Sequence, residues 1–265
     1  MNNRDTTLSP IGELFVKSWH VFKKRMVTLL FLYLISLILF GIAFAVFLGT
    51  GYLFAILFPD VRQAIIAGGA FIGCIAGFIA MFWGLGSFIS AVSDDTLGFK
   101  DALERGSQRI GSFIWLFILL GFIITGGFLL FIVPGIIFTV WFMFSQFILA
   151  SENEKGMNAL LKSKEYVRGF WFDVFLRLFL IWLISLVIGF IPVAGPILSI
   201  FFIPFMMVFS FLVYQDLRIL KSDIAFRPSG GKKMKWIGTA LLGYMILPLV
   251  FLIYFGAYIA ARLNL

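Results

Sequence analysis

From Gly111 to Ser151 the chain carries no Asp, Glu, Lys or Arg. Drawn as one α-helix at about 1.5 Å per residue, this stretch would run about 60 Å, against a hydrocarbon core of about 30 Å. It must therefore fold back on itself. In its middle, Pro134 lacks a backbone donor and disfavours helical geometry at Val133, while Gly135 tolerates a sharp turn. The expectation is a hairpin turned at Pro134 and Gly135, joining spans over 112–132 and 136–151. The pattern recurs in "FIPVAGPIL", where Pro192, Gly195 and Pro196 separate apolar runs at 171–191 and 197–215.

Three further runs complete the set. The first, 26–58, is long enough to span and then break at Gly49, Thr50 and Gly51, where helix-weakening glycines cluster. The second, 63–93, places Gly69, Gly73 and Gly77, and also Ala76, Ala80 and Gly84, four residues apart. Small-residue ladders of this kind let helix backbones approach closely in lipid. The last run is 236–261. With 62% hydrophobic residues, 13% charged and a mean hydropathy of +1.06, the chain lies far from the roughly 25% charged of soluble domains. The fold class expected is all-α: a polytopic transmembrane bundle of about seven spans. The polar N-terminal residues lack a signal peptide's apolar core, so the first span is expected to serve as the anchor.

Charge orients the spans independently of hydropathy. Of the 21 Lys and Arg, all but Arg62 and Arg262 fall in the N-terminal segment and the connections at 94–111, 152–177 and 216–235. The positive-inside rule then puts the N-terminus in the cytoplasm and the C-terminus outside, in a prokaryotic inner membrane. The net charge of +8 is read as topology and contact with anionic headgroups, not as nucleic-acid binding.

The cytoplasmic segments "ELFVKSWHVFKKR", "DALERGSQRIGSF" and "NALLKSKEYVRGFWF" each precede a hydrophobic pair, which suggests a repeated unit of interfacial helix plus membrane hairpin. In the first, Leu8, Ile11, Phe15, Trp19 and Phe22 form a stripe at helical spacing. Such helices are expected in the headgroup plane, with basic residues in water. Lys17, Lys23, Lys24, Arg25, Lys162, Lys164 and Arg168 are the residues expected to touch lipid headgroups. The organisation is then an amphipathic helix at 1–25, a first hairpin at 26–93, and helix-plus-hairpin units at 94–151 and 152–216. A basic loop and last span occupy 217–265.

The stretch from Val133 to Phe175 carries Pro134 and Gly135, then Glu152, then Ala159, Leu160 and Ser163, then Gly169, Phe170 and Trp171. In this it resembles the membrane domain of bacterial glycerophosphoryl diester phosphodiesterases and related multi-pass proteins. The resemblance covers roughly residues 100–215. It implies an integral membrane domain whose own activity is not established, and family members are usually six-helical, so the run at 236–261 departs from it. Where such domains are fused to a phosphodiesterase, the catalytic residues lie in a soluble domain that this sequence does not contain.

Charged groups at membrane depth are the default functional candidates. Asp173 and Arg177, four residues apart, can pair on one helix face, and Glu152 ends the fourth run; these three form the candidate polar site. One cysteine, Cys74, and one histidine, His20, supply neither a disulfide nor a multi-histidine metal site. No P-loop or nucleophilic triad is visible, and no cofactor is expected. The function expected is a non-enzymatic scaffold binding lipid or a membrane-protein partner. The alternative is a transporter or permease for a small or lipid-like substrate at the proline-broken helices. An intramembrane enzyme using Glu152, Asp173 or Arg177 ranks third.

Overall fold

The computed structural model describes residues 7–222, 226 and 230–262. Every regular element in it is helical: α1 (Ile11–Leu57), α2 (Arg62–Ser93), α3 (Phe99–Gln108), α4 (Ile110–Leu130), α5 (Ile132–Phe142), α6 (Ser145–Glu152), α7 (Met157–Val167), α8 (Trp171–Gly189), α9 (Ala194–Leu220) and α10 (Gly230–Arg262). Counting α5 with α6 as one, seven of these are long and apolar enough to cross a membrane. Arg4 and Arg227 lie outside the described residues.

The first hairpin departs from the expected plan. α1 runs unbroken for 47 residues, so Gly49, Thr50 and Gly51 do not interrupt it, and the amphipathic segment at its start is the same helix as the first span. The glycines here serve packing: a Cβ on Gly51 would lie 3.1 Å from the Gly69 Cα. The α2 ladder continues that contact, because a Cβ on Gly69 would meet the Phe47 carbonyl oxygen at 2.8 Å, one on Gly77 the Phe40 ring at 2.9 Å, and one on Gly84 the Ser36 Cα at 2.5 Å. The apolar stripe at the start of α1 packs largely against protein, with Trp19 left exposed. Leu14 and Phe22 are buried, and Phe15 and Phe22 lie against Phe205 of α9, at ring-centroid separations of 5.8 and 6.1 Å.

The turn of the second hairpin also moves. The chain reverses at Phe131, an extended residue (φ −168°, ψ 163°), and Pro134 and Gly135 fall in the first turn of α5. Proline is tolerated there because the first helical N–H groups have no partner within the helix. Gly135 is needed for approach: a Cβ would collide with the Phe128 ring at 2.4 Å. In the third hairpin Pro192 lies in the turn itself, while Gly195 and Pro196 open α9. Val193 takes φ +63°, ψ −51°, and the Ala194 N–H donates to the Pro192 carbonyl at 2.7 Å, closing a γ-turn around a β-branched residue. Pro204 and Pro248 sit inside continuous helices.

The fourth span is broken at Met143 and Phe144. The Ser163 hydroxyl of α7 seals the break, accepting from the Phe144 N–H at 3.2 Å and donating to the Trp141 carbonyl at 2.7 Å. α7 is consequently a core element and not a helix lying free in the headgroup plane; Ala159, Leu160, Ser163 and Val167 are fully buried. The core gathers α6, α7, the second half of α9, the end of α2 and the start of α1, at the end of the bundle bearing the charged connections. The opposite half turns large apolar side chains outward, among them Phe54, Phe71, Phe131, Val187 and Leu252. Hydrocarbon is the medium that accepts such a surface.

Candidate functional site

Glu152 is the last residue of α6, and its carboxylate is 9% exposed. Its Oε1 accepts hydroxyl hydrogen bonds from Tyr214 at 2.5 Å and Tyr166 at 3.0 Å, and the Lys162 ammonium lies 2.5 Å from Oε2. The Arg218 guanidinium stands 3.9 Å away, and the Ser151 hydroxyl contacts that of Tyr214 at 3.0 Å. Two helices deliver these partners by the same rule. Lys162 and Tyr166 are four apart on α7, as are Tyr214 and Arg218 on α9, so each pair shares a helix face. A buried carboxylate is tolerable only when paired and hydrogen-bonded in this way. Burial, reinforced by the Glu152 charge, raises the Tyr166 hydroxyl above its ordinary range and keeps it a donor.

Asp173 and Arg177 form a second cluster with different partners. Arg177 is 8% exposed and donates to the Asp173 carbonyl at 2.9 Å and, across 168 residues, to the Ser9 carbonyl at 2.9 Å. The Asp173 carboxylate is 61% exposed and 3.8 Å from the guanidinium, a loose pair. The Ser9 N–H in turn donates to the Asp216 carboxylate at 3.2 Å. Arg177 thus fastens the segment before α1 to α8, and the three residues expected to form one polar site are divided between two.

The cations expected at lipid headgroups also divide. Arg25 turns inward and donates to the carbonyls of Ala91 at 2.5 Å, Asp94 at 3.2 Å and Leu97 at 2.6 Å, satisfying the end of α2. Arg109 does the same for Leu149 and Ala150 at the end of α6, and Lys221 for Glu165 and Arg168 at the end of α7. Lys162 is committed to Glu152. Lys164 lies between two indoles, 4.7 Å from the Trp141 centroid and 4.5 Å from that of Trp236, and burial lowers its pKa. Lys17, Lys23 and Lys24 are exposed on α1, and Arg168 is 76% exposed.

Beside Arg168, α5 and α8 diverge and leave an open apolar cleft of about 620 Å³. Val133, Ile137 and Trp141 line it from α5, and Trp171 and Phe175 from α8. Gly169, at φ +89°, makes the corner that brings Arg168 to the lip of the cleft. His20 borders a smaller opening with Lys24, Arg25 and Asp95, and Cys74 is half-buried in α2. Among the described residues, no three His, Cys, Asp or Glu side chains converge as a metal site would require.

The sequence reading missed Tyr166, Tyr214 and Arg218. Their i,i+4 spacing, Tyr166 with Lys162 on α7 and Tyr214 with Arg218 on α9, was the available signal. A helical bundle with an outward apolar half and its polar clusters at one end is a multi-pass membrane protein. Compared with protein-family models, characterised proteins and solved structures, the chain matches none.

Proposed function

We propose that the chain is an integral membrane scaffold that holds anionic lipid at its basic end and leaves its outward helices to lipid or a membrane-protein partner. The positive-inside rule makes that end cytoplasmic. The observation that carries this reading is the placement of Arg168 at an apolar cleft, with Lys164 on the ring of its lining residue Trp141, while Glu152 and Arg177 are occupied by protein partners. The residues of the α5–α8 stretch that resemble the phosphodiesterase-linked membrane domains have structural roles: Gly135 admits Phe128, Ser163 seals the helix break and Gly169 turns the corner into α8. At the helix break, where a transporter reading would look first, the Ser163 hydroxyl takes up the Phe144 N–H and the Trp141 carbonyl. The test is to purify the full chain in mild detergent and analyse the retained phospholipid by mass spectrometry. Anionic phospholipid enriched over its share of the source membrane is expected; retained lipid matching the bulk composition would overturn the reading.

A further inference from the structure

The α5–α8 cleft joins an apolar trough to a concentrated positive field. Val133 and Trp141 are eight residues apart on α5, so the trough is about 12 Å long at about 1.5 Å per residue. That suits most of one acyl chain, and both walls belong to helices long and apolar enough to lie in hydrocarbon. At one end only, the lining becomes charged. Arg168 projects there with its guanidinium 76% exposed, 3.6 Å from Glu165. Lys164 is close enough to Arg168, Lys232 and Lys235 to feel their charge, and Lys221 also feels Arg168, with Glu165 the opposing carboxylate for both lysines. Trp141 belongs to both parts, because one side lines the cleft and its ring carries Lys164. A free fatty acid would leave most of this field uncompensated, and a zwitterionic headgroup would bring its own cation into it. A phosphodiester without a balancing cation suits it best.

We infer that the α5–α8 cleft is a binding site for a single anionic phospholipid, with one acyl chain between Val133 and Phe175 and the phosphodiester on Arg168, backed by Lys164. The inference rests on the lipid-scaffold reading and adds to it the place and the headgroup chemistry. Arg168 supplies paired N–H donors to phosphate oxygens, and the trough supplies depth for the chain.

The experiment is native mass spectrometry of the delipidated full chain in detergent, titrated with phosphatidylglycerol or with phosphatidylcholine bearing the same acyl chains. Three variants are compared: Arg168→Gln, Arg168→Lys and Ile137→Trp, which fills the trough. Val133→Trp, at a position 65% exposed, fills its far end and serves if Ile137→Trp fails to fold. Arg168→Gln should weaken the first phosphatidylglycerol about five- to tenfold, remove the preference over phosphatidylcholine, and be partly rescued by Arg168→Lys. The trough-filling variant should remove the first site for both lipids. Retained anionic lipid with a first site that ignores both Arg168→Gln and the tryptophan would overturn the cleft assignment while leaving the scaffold reading intact. No preference for phosphatidylglycerol in the unaltered chain would overturn both.

Discussion

Tyr214 donates its hydroxyl to the Glu152 carboxylate at 2.5 Å, joining the end of α6 to α9 across 62 residues of chain. The same oxygen accepts from Tyr166, and its neighbour faces Lys162, so α6, α7 and α9 are held by one anion. Replacing Glu152 with Gln takes the close carboxylate from the partly buried Lys162 ammonium and leaves it only Glu154, 3.9 Å away. The expected loss is about 3 kcal/mol, from the penalty for breaking a buried ion pair. Tyr214→Phe keeps the ring packing and removes the hydrogen bond to the Glu152 carboxylate together with the contact to the Ser151 hydroxyl, so it should cost about 2 kcal/mol. Thermal unfolding in detergent, followed by intrinsic fluorescence, ranks the two; a Tyr214→Phe loss exceeding that of Glu152→Gln would contradict this account.

Arg177 reaches the Ser9 carbonyl, and Asp216 the Ser9 N–H, so two distant helices fix one residue ahead of α1. Arg177→Gln shortens the reach and removes the charge. Hydrogen bonds to charged groups contribute about 1.5–3 kcal/mol, so the segment should open about ten- to a hundredfold more often. Hydrogen exchange over residues 8–14 should accelerate by that factor while the exchange of α9 is unchanged.

The spans were legible because charge-free runs and the thickness of a bilayer leave few ways to fold 265 residues of this composition. The turn at Phe131 was not, since Pro134 and Gly135 are equally at home in a turn or in a first helical turn, and only the approach of Phe128 to Gly135 decides between them. The break at Met143 and Phe144 carries no glycine or proline and depends on a hydroxyl from Ser163, a tertiary partner that local pattern does not reveal. Arg25 illustrates the same limit: its place among Lys23, Lys24 and His20 suggests a headgroup cation, yet its destination is set by where α2 happens to end.

The glycine ladder of α2 gives a paired prediction. Gly84→Ala would put a methyl 2.5 Å from the Ser36 Cα, while Gly68, on another face, has open space around its Cβ position. Gly84→Ala forces the two backbones apart and should destabilise the hairpin by about 2 kcal/mol. Gly68→Ala meets nothing and gains helix propensity, a stabilisation of up to about 1 kcal/mol. Equal effects of the two substitutions on unfolding would remove close packing as the reason for the ladder.

Asp94 closes the end of α2. It accepts from the Thr96 hydroxyl at 2.6 Å and from Arg105 of α3 at 2.9 Å; the Thr96 hydrogen bond, with Arg105 adding to it, holds its carboxyl below the usual range despite some opposing burial. A carboxylate whose pKa is lower folded than unfolded contributes stability above its unfolded value, near 4, and loses it as pH falls through the folded value. Stability should therefore decline below about pH 4, and Asp94→Asn should flatten that part of the profile while leaving the remaining acid dependence in place. Unfolding midpoints measured between neutral and acid pH for both chains test this, and an unchanged acid limb would remove Asp94 from it.

Val193 sits at φ +63°, where a β-branched side chain is strained, and is 87% exposed, so no packing offsets the strain. Backbone strain of this kind costs about 1–3 kcal/mol, and glycine adopts the conformation freely. Val193→Gly should accordingly stabilise the turn between α8 and α9 by about 1 kcal/mol, after allowance for the greater freedom of glycine in the unfolded chain. Val193→Pro, whose ring fixes φ near −65°, cannot make the γ-turn and should lower the unfolding midpoint. The order Gly above Val above Pro is the expected result, and a Val193→Gly chain less stable than the parent would show that this turn relaxes to a negative φ in the folded protein.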